Sequence, residues 1–227
     1  MSWIRSLGTT TALGGQSILG TAKTIRYYHA TLTLCNEAAA LQPTPRNRLT
    51  KEQKERVDAL LRVDQAGEVG ANYIYMGQVA VLGRDPELRR VIEHMWEQEK
   101  THLRVFDSIL AENRVRPSVL RPLWEVAGFV VGAGTALIGK EAAMACTEAV
   151  ETVIGEHYNN QIRELVQLEP DVEIAKLTEV IKQFRDDELE HLETALDYDA
   201  KKAPVYPLLT SAIKTGCGAA IWVASKF

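Results

Sequence analysis

The sequence has few cysteines and none of the spacings that cysteine-based sites require. Cys35, Cys146 and Cys217 are the three cysteines among 227 residues, and no Cys-x-x-Cys pair occurs. Their odd number and wide separation argue against a disulfide framework and against a zinc ribbon. We therefore expect inert thiols rather than a redox or structural centre.

Excess positive charge is also absent. The formal net charge is −4 and the isoelectric point is about 5.8, which gives no general electrostatic reason to expect nucleic-acid binding. We therefore predict no nucleic-acid partner. Hydrophobic residues make up 46% of the chain and charged residues 25%, which suffices for the core of one compact domain or of two small ones.

The beginning of the chain lacks acidic residues. None occurs before Glu37, whereas two arginines, one lysine and several serines and threonines do. This composition is typical of an organelle transit peptide, and a poorly packed N-terminal arm is the alternative. Prolines at positions 43 and 45 mark a linker. We predict that residues 1–48 are transit peptide and linker and that residues 49–227 form the folded domain.

No stretch after Thr50 alternates apolar and polar residues as a half-buried β-strand does. Apolar residues recur at helical spacing instead. The pattern predicts four long helices, over residues 50–82, 86–113, 140–168 and 171–199. An uncharged segment, residues 126–139, lies between the second and the third. A last short apolar helix precedes Phe227. This order of helix pair, crossover and helix pair predicts an all-α fold.

The motif Glu-x-x-His occurs twice, late in the second and fourth predicted helices. The copies are Glu99–His102 and Glu188–His191. Residues i and i+3 share a helix face, so a carboxylate and an imidazole at this spacing can bind one cation. A single copy is more often a solvated surface pair. Here both copies lie on apolar stripes, and the helix preceding each copy carries an inward glutamate, Glu68 or Glu151.

Four carboxylates and two imidazoles on four helices form the ligand set of a ferritin-like di-iron or di-manganese centre. Buried carboxylates repel one another strongly unless cations neutralise them. Oxygen donors with few imidazoles suit iron or manganese better than zinc. We predict a ferritin-like four-helix bundle with a crossover helix and an additional C-terminal helix. The predicted metal ligands are Glu68, Glu99, His102, Glu151, Glu188 and His191. Glu99 and Glu188 are predicted to bridge, and Glu68 and Glu151 to be terminal or bridging ligands.

Three neighbours of the predicted ligands have open roles. Asp64 and Asp187 could each accept a hydrogen bond from an imidazole N–H, or could be solvated or structural. Tyr158 lies two turns after Glu151 on the same helix face. Core packing is the favoured role for Tyr158, and lining a substrate cavity or supplying a proton in catalysis is the alternative.

The uncharged segment, residues 126–139, resembles a dinucleotide-binding loop and a membrane-spanning helix, but its context argues against the first and its length against the second. Its glycines resemble the opening of a dinucleotide-binding loop, but Leu137 takes the place of the third glycine and no strand–helix–strand unit surrounds it. It is shorter than the roughly 20 residues of a membrane-spanning helix. Gly128 and Gly132 suit close helix packing. We favour contact of this segment and the last helix with a membrane surface, with closure of the core as the alternative.

Five strings of this sequence resemble the mitochondrial demethoxyubiquinone hydroxylases. In chain order they are VDQAGEVGA (63–71), MWEQEKTH (95–102), PLWEVAGFVVGAGTALIGKEAAMACT (122–147), HYNNQIR (157–163) and FRDDELEH (184–191). They span nearly all of the chain after the N-terminal arm. The metal ligands of that family fall on the same six residues that helix phase selects.

The resemblance implies a di-iron monooxygenase that uses O2 to hydroxylate the ring of demethoxyubiquinol, a polyprenylated benzoquinol, in ubiquinone biosynthesis. It implies two iron ions as cofactor and NADH as reductant, although the sequence holds no flavin or dinucleotide motif. It also implies a mitochondrial transit peptide and a peripheral protein on the matrix side of the mitochondrial inner membrane. The implied partners are a lipid-binding protein and a larger biosynthetic complex.

Two other functions compete with the hydroxylase. The same metal centre could serve a di-iron quinol oxidase or a ferroxidase. From a different class, the chain could be a metal-free lipid-binding scaffold of the same biosynthetic complex.

Overall fold

The computed structural model describes residues 49–168 and 172–226, and within these ranges the chain forms six α-helices, one short 3₁₀ helix and no strand. The α-helices are α1 (Lys51–Leu82), α2 (Pro86–Asn113), α3 (Arg121–Ile138), α4 (Lys140–Leu165), α5 (Val172–Asp197) and α6 (Tyr206–Ala224). The 3₁₀ helix Ala200–Lys202 lies between α5 and α6. The predicted all-α fold is confirmed. The predicted transit peptide and linker lie outside the described residues.

The first two helices begin where the sequence predicts. Thr50 and Gln53 form a capping box, in which each side chain accepts a hydrogen bond from the backbone N–H of the other residue, at 3.2 and 2.8 Å. Asp85 accepts from the first backbone N–H groups of α2, and Pro86 occupies the first helical position, where its missing N–H costs nothing. The predicted ends at 82 and 113 are confirmed.

The later helix ends differ from the prediction by a few residues. α4 ends at Leu165 rather than at residue 168, and backbone turns follow it. α5 ends at Asp197 rather than at residue 199. The reason is local, because Asp199 has a φ of 73°, in the left-handed region, and the chain turns there into the 3₁₀ helix.

Two helix pairs surround a shared interior. α1 packs against α2, α4 packs against α5, and α3 packs against α1. One apolar cluster contains Leu61 of α1 and Phe184 of α5, and a second contains Tyr75 of α1 and Ala195 of α5. The predicted ligands lie along the helices between these two clusters. Apolar side chains therefore pack on both sides of a polar level in the bundle.

Glycine allows α1 and α3 to approach closely. A Cβ atom on Gly132 would lie 2.0 Å from the carbonyl oxygen of Ile74, and one on Gly128 would lie 2.5 Å from that of Gly70. From the other side, a Cβ on Gly77 would lie 2.5 Å from the carbonyl oxygen of Phe129. The packing role predicted for Gly128 and Gly132 is therefore confirmed.

The side of α3 away from α1 is apolar and exposed. Large exposed hydrophobic residues lie on α3 and on or beside α6, namely Leu123, Val126, Phe129, Val130, Leu137, Ile138, Val205, Leu208 and Trp222. Within α6 only Thr210 and Ala224 are buried. Other residues of α6, among them Ile213 and Ile221, pack against the core. Over the described part of the chain, we find no helix with both the length and the apolar character that crossing a membrane requires.

Replacing Gly132 with alanine should lower the free energy of unfolding by about 1–3 kcal/mol, the usual cost of overpacking. The added Cβ would collide with backbone of α1, which cannot rotate away as a side chain can. Gly134→Ala is the matched control on the same helix, because nothing lies within 4 Å of the position that its Cβ would take. Its unfolding free energy should stay equal or rise by up to about 1 kcal/mol, since alanine favours helix. Urea unfolding followed by circular dichroism measures both, and equal effects of the two substitutions would contradict the close approach.

Candidate metal centre

All six predicted ligands meet inside the bundle. Each exposes at most 2% of its surface. α1 supplies Glu68, α4 supplies Glu151, and α2 and α5 each supply one Glu-x-x-His pair. The ligand atoms form two groups, in each of which all atoms lie within 4.8 Å of one another. The groups are Glu68, Glu99, His102 and Glu188, and Glu99, Glu151, Glu188 and His191.

Glu99 and Glu188 belong to both groups. Each group adds one further glutamate and one histidine of its own. Each therefore holds three carboxylates and one imidazole, a donor set that suits hard divalent cations such as iron or manganese. The arrangement has the composition of two adjacent cation sites that share two carboxylates.

Hydrogen bonds on the far side of each imidazole set which nitrogen faces the cluster. Nε2 of His102 lies 3.0 Å from a carboxylate oxygen of Asp187. Nε2 of His191 lies 3.1 Å from the amide oxygen of Gln98. Both partners are acceptors, so both Nε2 atoms carry the proton and donate it. Nδ1 of each ring is therefore the nitrogen that can bind a cation.

Two buried tyrosines hold the two outer glutamates. The hydroxyl of Tyr75 donates to Glu151 at 2.7 Å, and the hydroxyl of Tyr158 donates to Glu68. Tyr75 lies on the same helix as Glu68, and Tyr158 on the same helix as Glu151, so the two bonds cross between α1 and α4. Each bond occupies one carboxylate oxygen and leaves the other oxygen facing the cluster.

Those remaining oxygens lack partners. Of the nine buried side-chain atoms without a hydrogen-bond partner among the described residues, six belong to the cluster. They are Oε2 of Glu68, both carboxylate oxygens of Glu99, Nδ1 of His102, Oε2 of Glu151 and Oε1 of Glu188. A buried polar atom without a partner is costly. Coordination of cations satisfies all six atoms at once, so the residues present fit a two-metal centre.

The outer glutamates favour the protonated form when no cation is present. Burial and the negative charge of Glu99 raise the pKa of Glu68 well above its usual value. Burial and the negative charges of Glu188 and Glu99 raise the pKa of Glu151 in the same way. The cause is that several carboxylates share one dry space, in which all of them cannot ionise together.

The imidazoles favour the charged form. Burial alone would lower the pKa of His102, but the carboxylates of Asp187, Glu188 and Glu68 outweigh burial and raise that pKa well above its usual value. Glu188 and Glu99 raise the pKa of His191 for the same reason. Glu188 shows the converse effect, because the two imidazoles outweigh burial and lower its pKa below its usual range. Without metal ions, the shared negative charge therefore favours proton binding by the outer glutamates and the imidazoles.

Sequence analysis missed two residues of this site, Gln98 and Tyr75. Gln98 directly precedes Glu99 as Asp187 precedes Glu188, and Tyr75 follows Glu68 by seven residues as Tyr158 follows Glu151. Comparison of the two halves of the chain would have found both.

Of the two aspartates with open roles, Asp187 does accept from a predicted ligand. Asp64 does not. It contacts the imidazole of His157 at 2.9 Å and the amide of Gln161 at 2.7 Å instead.

Comparison with known proteins agrees with this geometry. The family described as ubiquinone biosynthesis protein COQ7 matches residues 55–224. This chain belongs to the COQ7 family. The match includes all six converging residues, and it confirms the resemblance found in the sequence.

Similar proteins to this COQ7 family member carry related names. The chain is 58% identical over 171 residues to the NADPH-dependent 3-demethoxyubiquinone 3-hydroxylase, mitochondrial, of Mus musculus, over 75% of this chain and 78% of the mouse protein. It is 52% identical over 189 residues to the 5-demethoxyubiquinone hydroxylase, mitochondrial, of Saccharomyces cerevisiae, over 78% and 81% of the two chains. Identity to the 3-demethoxyubiquinol 3-hydroxylase of Rhodospirillum rubrum is 49% over 170 residues, or 75% and 78% of the two chains.

The pKa values of the cluster predict how the stability of the metal-free protein depends on pH. For Glu68, Glu151, His102 and His191 the folded-state pKa is raised. Their stabilisation is therefore complete below the unfolded pKa values, 4.5 for glutamate and 6.5 for histidine, and is lost as pH rises through the folded values. Glu188 has a lowered pKa, so its stabilisation is complete above pH 4.5 and is lost only as pH falls below that value.

We expect the melting temperature of metal-free protein to fall between about pH 5.5 and about pH 8, and the gap to Mn²⁺-loaded protein to widen, because cations bind the deprotonated ligands. Thermal unfolding at several pH values measures both. Glu151→Gln removes one titrating carboxylate and should flatten the slope for metal-free protein. A metal-free protein that gains stability with pH over this range would contradict the protonated cluster.

Proposed function

We propose that this chain is a di-iron monooxygenase that hydroxylates the ring of demethoxyubiquinol, a polyprenylated benzoquinol, in ubiquinone biosynthesis. One observation carries the proposal, the convergence of four glutamates and two histidines whose buried oxygen and nitrogen atoms lack partners. The names of the relatives, which specify demethoxyubiquinone or demethoxyubiquinol hydroxylation, supply the substrate.

The six converging residues would hold the two iron ions. Glu68 and His102 would bind one ion, Glu151 and His191 the other, and Glu99 and Glu188 would bridge the pair. Four carboxylates carry four negative charges, which two divalent ions neutralise. When bound, iron supplies the redox chemistry that activates O2 for insertion of one oxygen atom into the substrate ring.

The residues around the cluster orient the ligands and exclude water. Asp187 and Gln98 hold the Nε2–H of the imidazoles, which leaves each Nδ1 free to bind an ion. Burial and the negative charge of Glu68 raise the pKa of Tyr158 well above its usual value, so its hydroxyl keeps its proton and continues to donate to Glu68. Tyr158 would therefore position a ligand rather than supply a proton. Tyr75 has the same relation to Glu151.

The exposed apolar residues of α3 and α6 would contact a membrane surface. A polyprenylated substrate resides in a bilayer, and an apolar face on the protein gives it an entry from there. The animal and yeast relatives are named as mitochondrial. We extend this to a peripheral protein on the matrix side of the inner membrane. Residues 1–48 would be its transit peptide and linker, and residues 49–227 its hydroxylase domain. A lipid-binding protein and a larger biosynthetic complex would be its partners.

A reduced nicotinamide would supply the electrons. The resemblance alone implies NADH, but the name of the mouse relative specifies NADPH. The described residues contain no strand from which a dinucleotide-binding unit could be built. Parallel assays with NADH and with NADPH at equal concentration therefore belong in any test of turnover.

Glu188→Ala should reduce hydroxylation by more than about 100-fold, because it removes a carboxylate that both ions would share. The helical fold should persist, since the substitution leaves the apolar clusters on both sides of the site intact. Glu190→Ala is the matched control, an exposed glutamate two residues further along the same helix, and should keep full activity. Iron-loaded protein is given demethoxyubiquinol, reductant and O2, and the ring-hydroxylated product and bound iron are measured.

The same assay separates the alternatives. Consumption of O2 with oxidised but not hydroxylated quinone indicates a quinol oxidase, and a ferric mineral indicates a ferroxidase. Failure to bind iron after anaerobic reconstitution indicates a lipid-binding scaffold. Full activity of Glu188→Ala refutes the role of Glu188 as a ligand.

The membrane contact has its own test with lipid vesicles. The double change Val126→Ser and Val130→Ser should weaken vesicle binding about tenfold, because it removes apolar surface that the bilayer would bury. Val166→Ser with Val172→Ser is the matched control, since these valines are similarly exposed but lie outside α3 and α6. Co-sedimentation with phospholipid vesicles measures the affinity. Equal binding of the two double variants would refute α3 as the contact surface.

A further inference from the structure

The two histidines of the cluster have chemically different acceptors behind them. We propose that the two ion sites therefore differ in affinity, and that the site built on His102 fills before the site built on His191. The inference rests on the proposed metal centre. The deciding juxtaposition is a carboxylate, Asp187, behind one imidazole and a neutral amide, Gln98, behind the other.

The difference stands out because the ligands themselves are matched between the two halves of the chain. Each half supplies an outer glutamate, a bridging glutamate and a histidine, and the residue directly before the bridging glutamate reaches across to the imidazole of the other half. That residue is Asp187 on α5, which serves His102, and Gln98 on α2, which serves His191. The tyrosine bonds to the outer glutamates are also reciprocal. Only the charge of the imidazole acceptor differs between the halves, because Asp187 is a carboxylate and Gln98 is a neutral amide.

A carboxylate acceptor strengthens the imidazole as a ligand. The hydrogen bond from Nε2–H to a carboxylate is charge-assisted and roughly twice as strong as one to a neutral amide. It draws the Nε2 proton away from the ring and increases the basicity of Nδ1, the atom that would bind the ion. The side chain of Asp187 is 15% exposed, so water screens part of this effect, but His102 itself is enclosed.

Ring packing acts in the same direction. Phe184 stacks on His102 with a centroid distance of 4.0 Å and an interplanar angle of 28°. His191 meets Tyr75 edge-on at 6.0 Å and 73°. Stacking at 4.0 Å restricts rotation of the His102 ring more than an edge contact at 6.0 Å restricts that of His191, so His102 loses less side-chain freedom on binding.

Stepwise filling alone would not identify the stronger site. The sites share Glu99 and Glu188, so the first ion neutralises charge that the second ion needs, whichever site fills first. The two sites must therefore be measured separately. His191→Ala leaves the site built on His102, and His102→Ala leaves the site built on His191.

The experiment is an anaerobic titration of the metal-free full chain with Co²⁺, followed by its visible absorption and by calorimetry. We expect the His191→Ala chain to bind Co²⁺ about tenfold more tightly than the His102→Ala chain, the lower end of the range for imidazole acceptors. Adding Asp187→Asn to the His191→Ala chain should weaken Co²⁺ binding about tenfold. Adding Gln98→Glu to the His102→Ala chain should tighten Co²⁺ binding. Asp186→Asn, an exposed neighbour, is the matched control and should leave both affinities unchanged.

The outcomes separate this inference from the proposed function. Equal affinities in the two single-histidine chains, or tighter binding by the His102→Ala chain, overturn the order of filling and leave a two-metal centre standing. If the unmodified chain binds no Co²⁺, the metal centre fails and the inference fails with it. If Asp187→Asn disrupts the helical fold seen by circular dichroism, Gln98→Glu decides alone, and no tightening in that variant overturns the role of the acceptor.

Discussion

The repulsion among four carboxylates enclosed in one helical bundle is the constraint on which the structure depends. Ionised carboxylates are expensive to bury singly, and here ligand atoms of Glu99 and Glu188 lie within 4.8 Å of Glu68 in one group and of Glu151 in the other. Without cations, the cluster compensates with protons on the outer glutamates and on the imidazoles. The apolar clusters on both sides of the carboxylates stabilise the bundle and offset the free-energy cost of burying them. Divalent ions convert the same residues from a source of strain into a set of satisfied ligands.

Reciprocity between the two halves explains how so many polar groups are held without solvent. Tyrosine on α1 bonds to glutamate on α4, and tyrosine on α4 bonds to glutamate on α1. The imidazole acceptors likewise cross between α2 and α5. Each crossing bond fixes a ligand of one half with a group of the other half, so the cluster forms only when both pairs pack together. The cluster of six residues is therefore a product of the tertiary fold and not of either helix pair.

Much of this fold follows from local sequence, and the part that does not follow has a physical reason. The i, i+3 spacing and the apolar stripe select the six converging residues, because both depend on the phase of a single helix. The cap at Asp85 and Pro86 locates a helix start for the same reason. The partner of Asp64 is different, because it depends on which side chain of α4 faces α1. Sequence analysis anticipated an imidazole there, but His157 of α4 occupies the position instead of a cluster histidine.

The position of α1 connects the polar interior to the apolar exterior. One side of α1 carries Glu68 into the cluster, and the opposite side meets α3 through glycine contacts that bring the two backbones together. The outward side of α3 is left apolar and exposed. Since a helix with its side chains is about 10 Å across, close packing of α3 keeps the apolar surface within about two helix diameters of the carboxylates. A bulkier residue at Gly132 would thicken this layer. Under the proposed function, close packing at Gly132 would therefore both stabilise the bundle and hold the membrane-facing surface near the cluster.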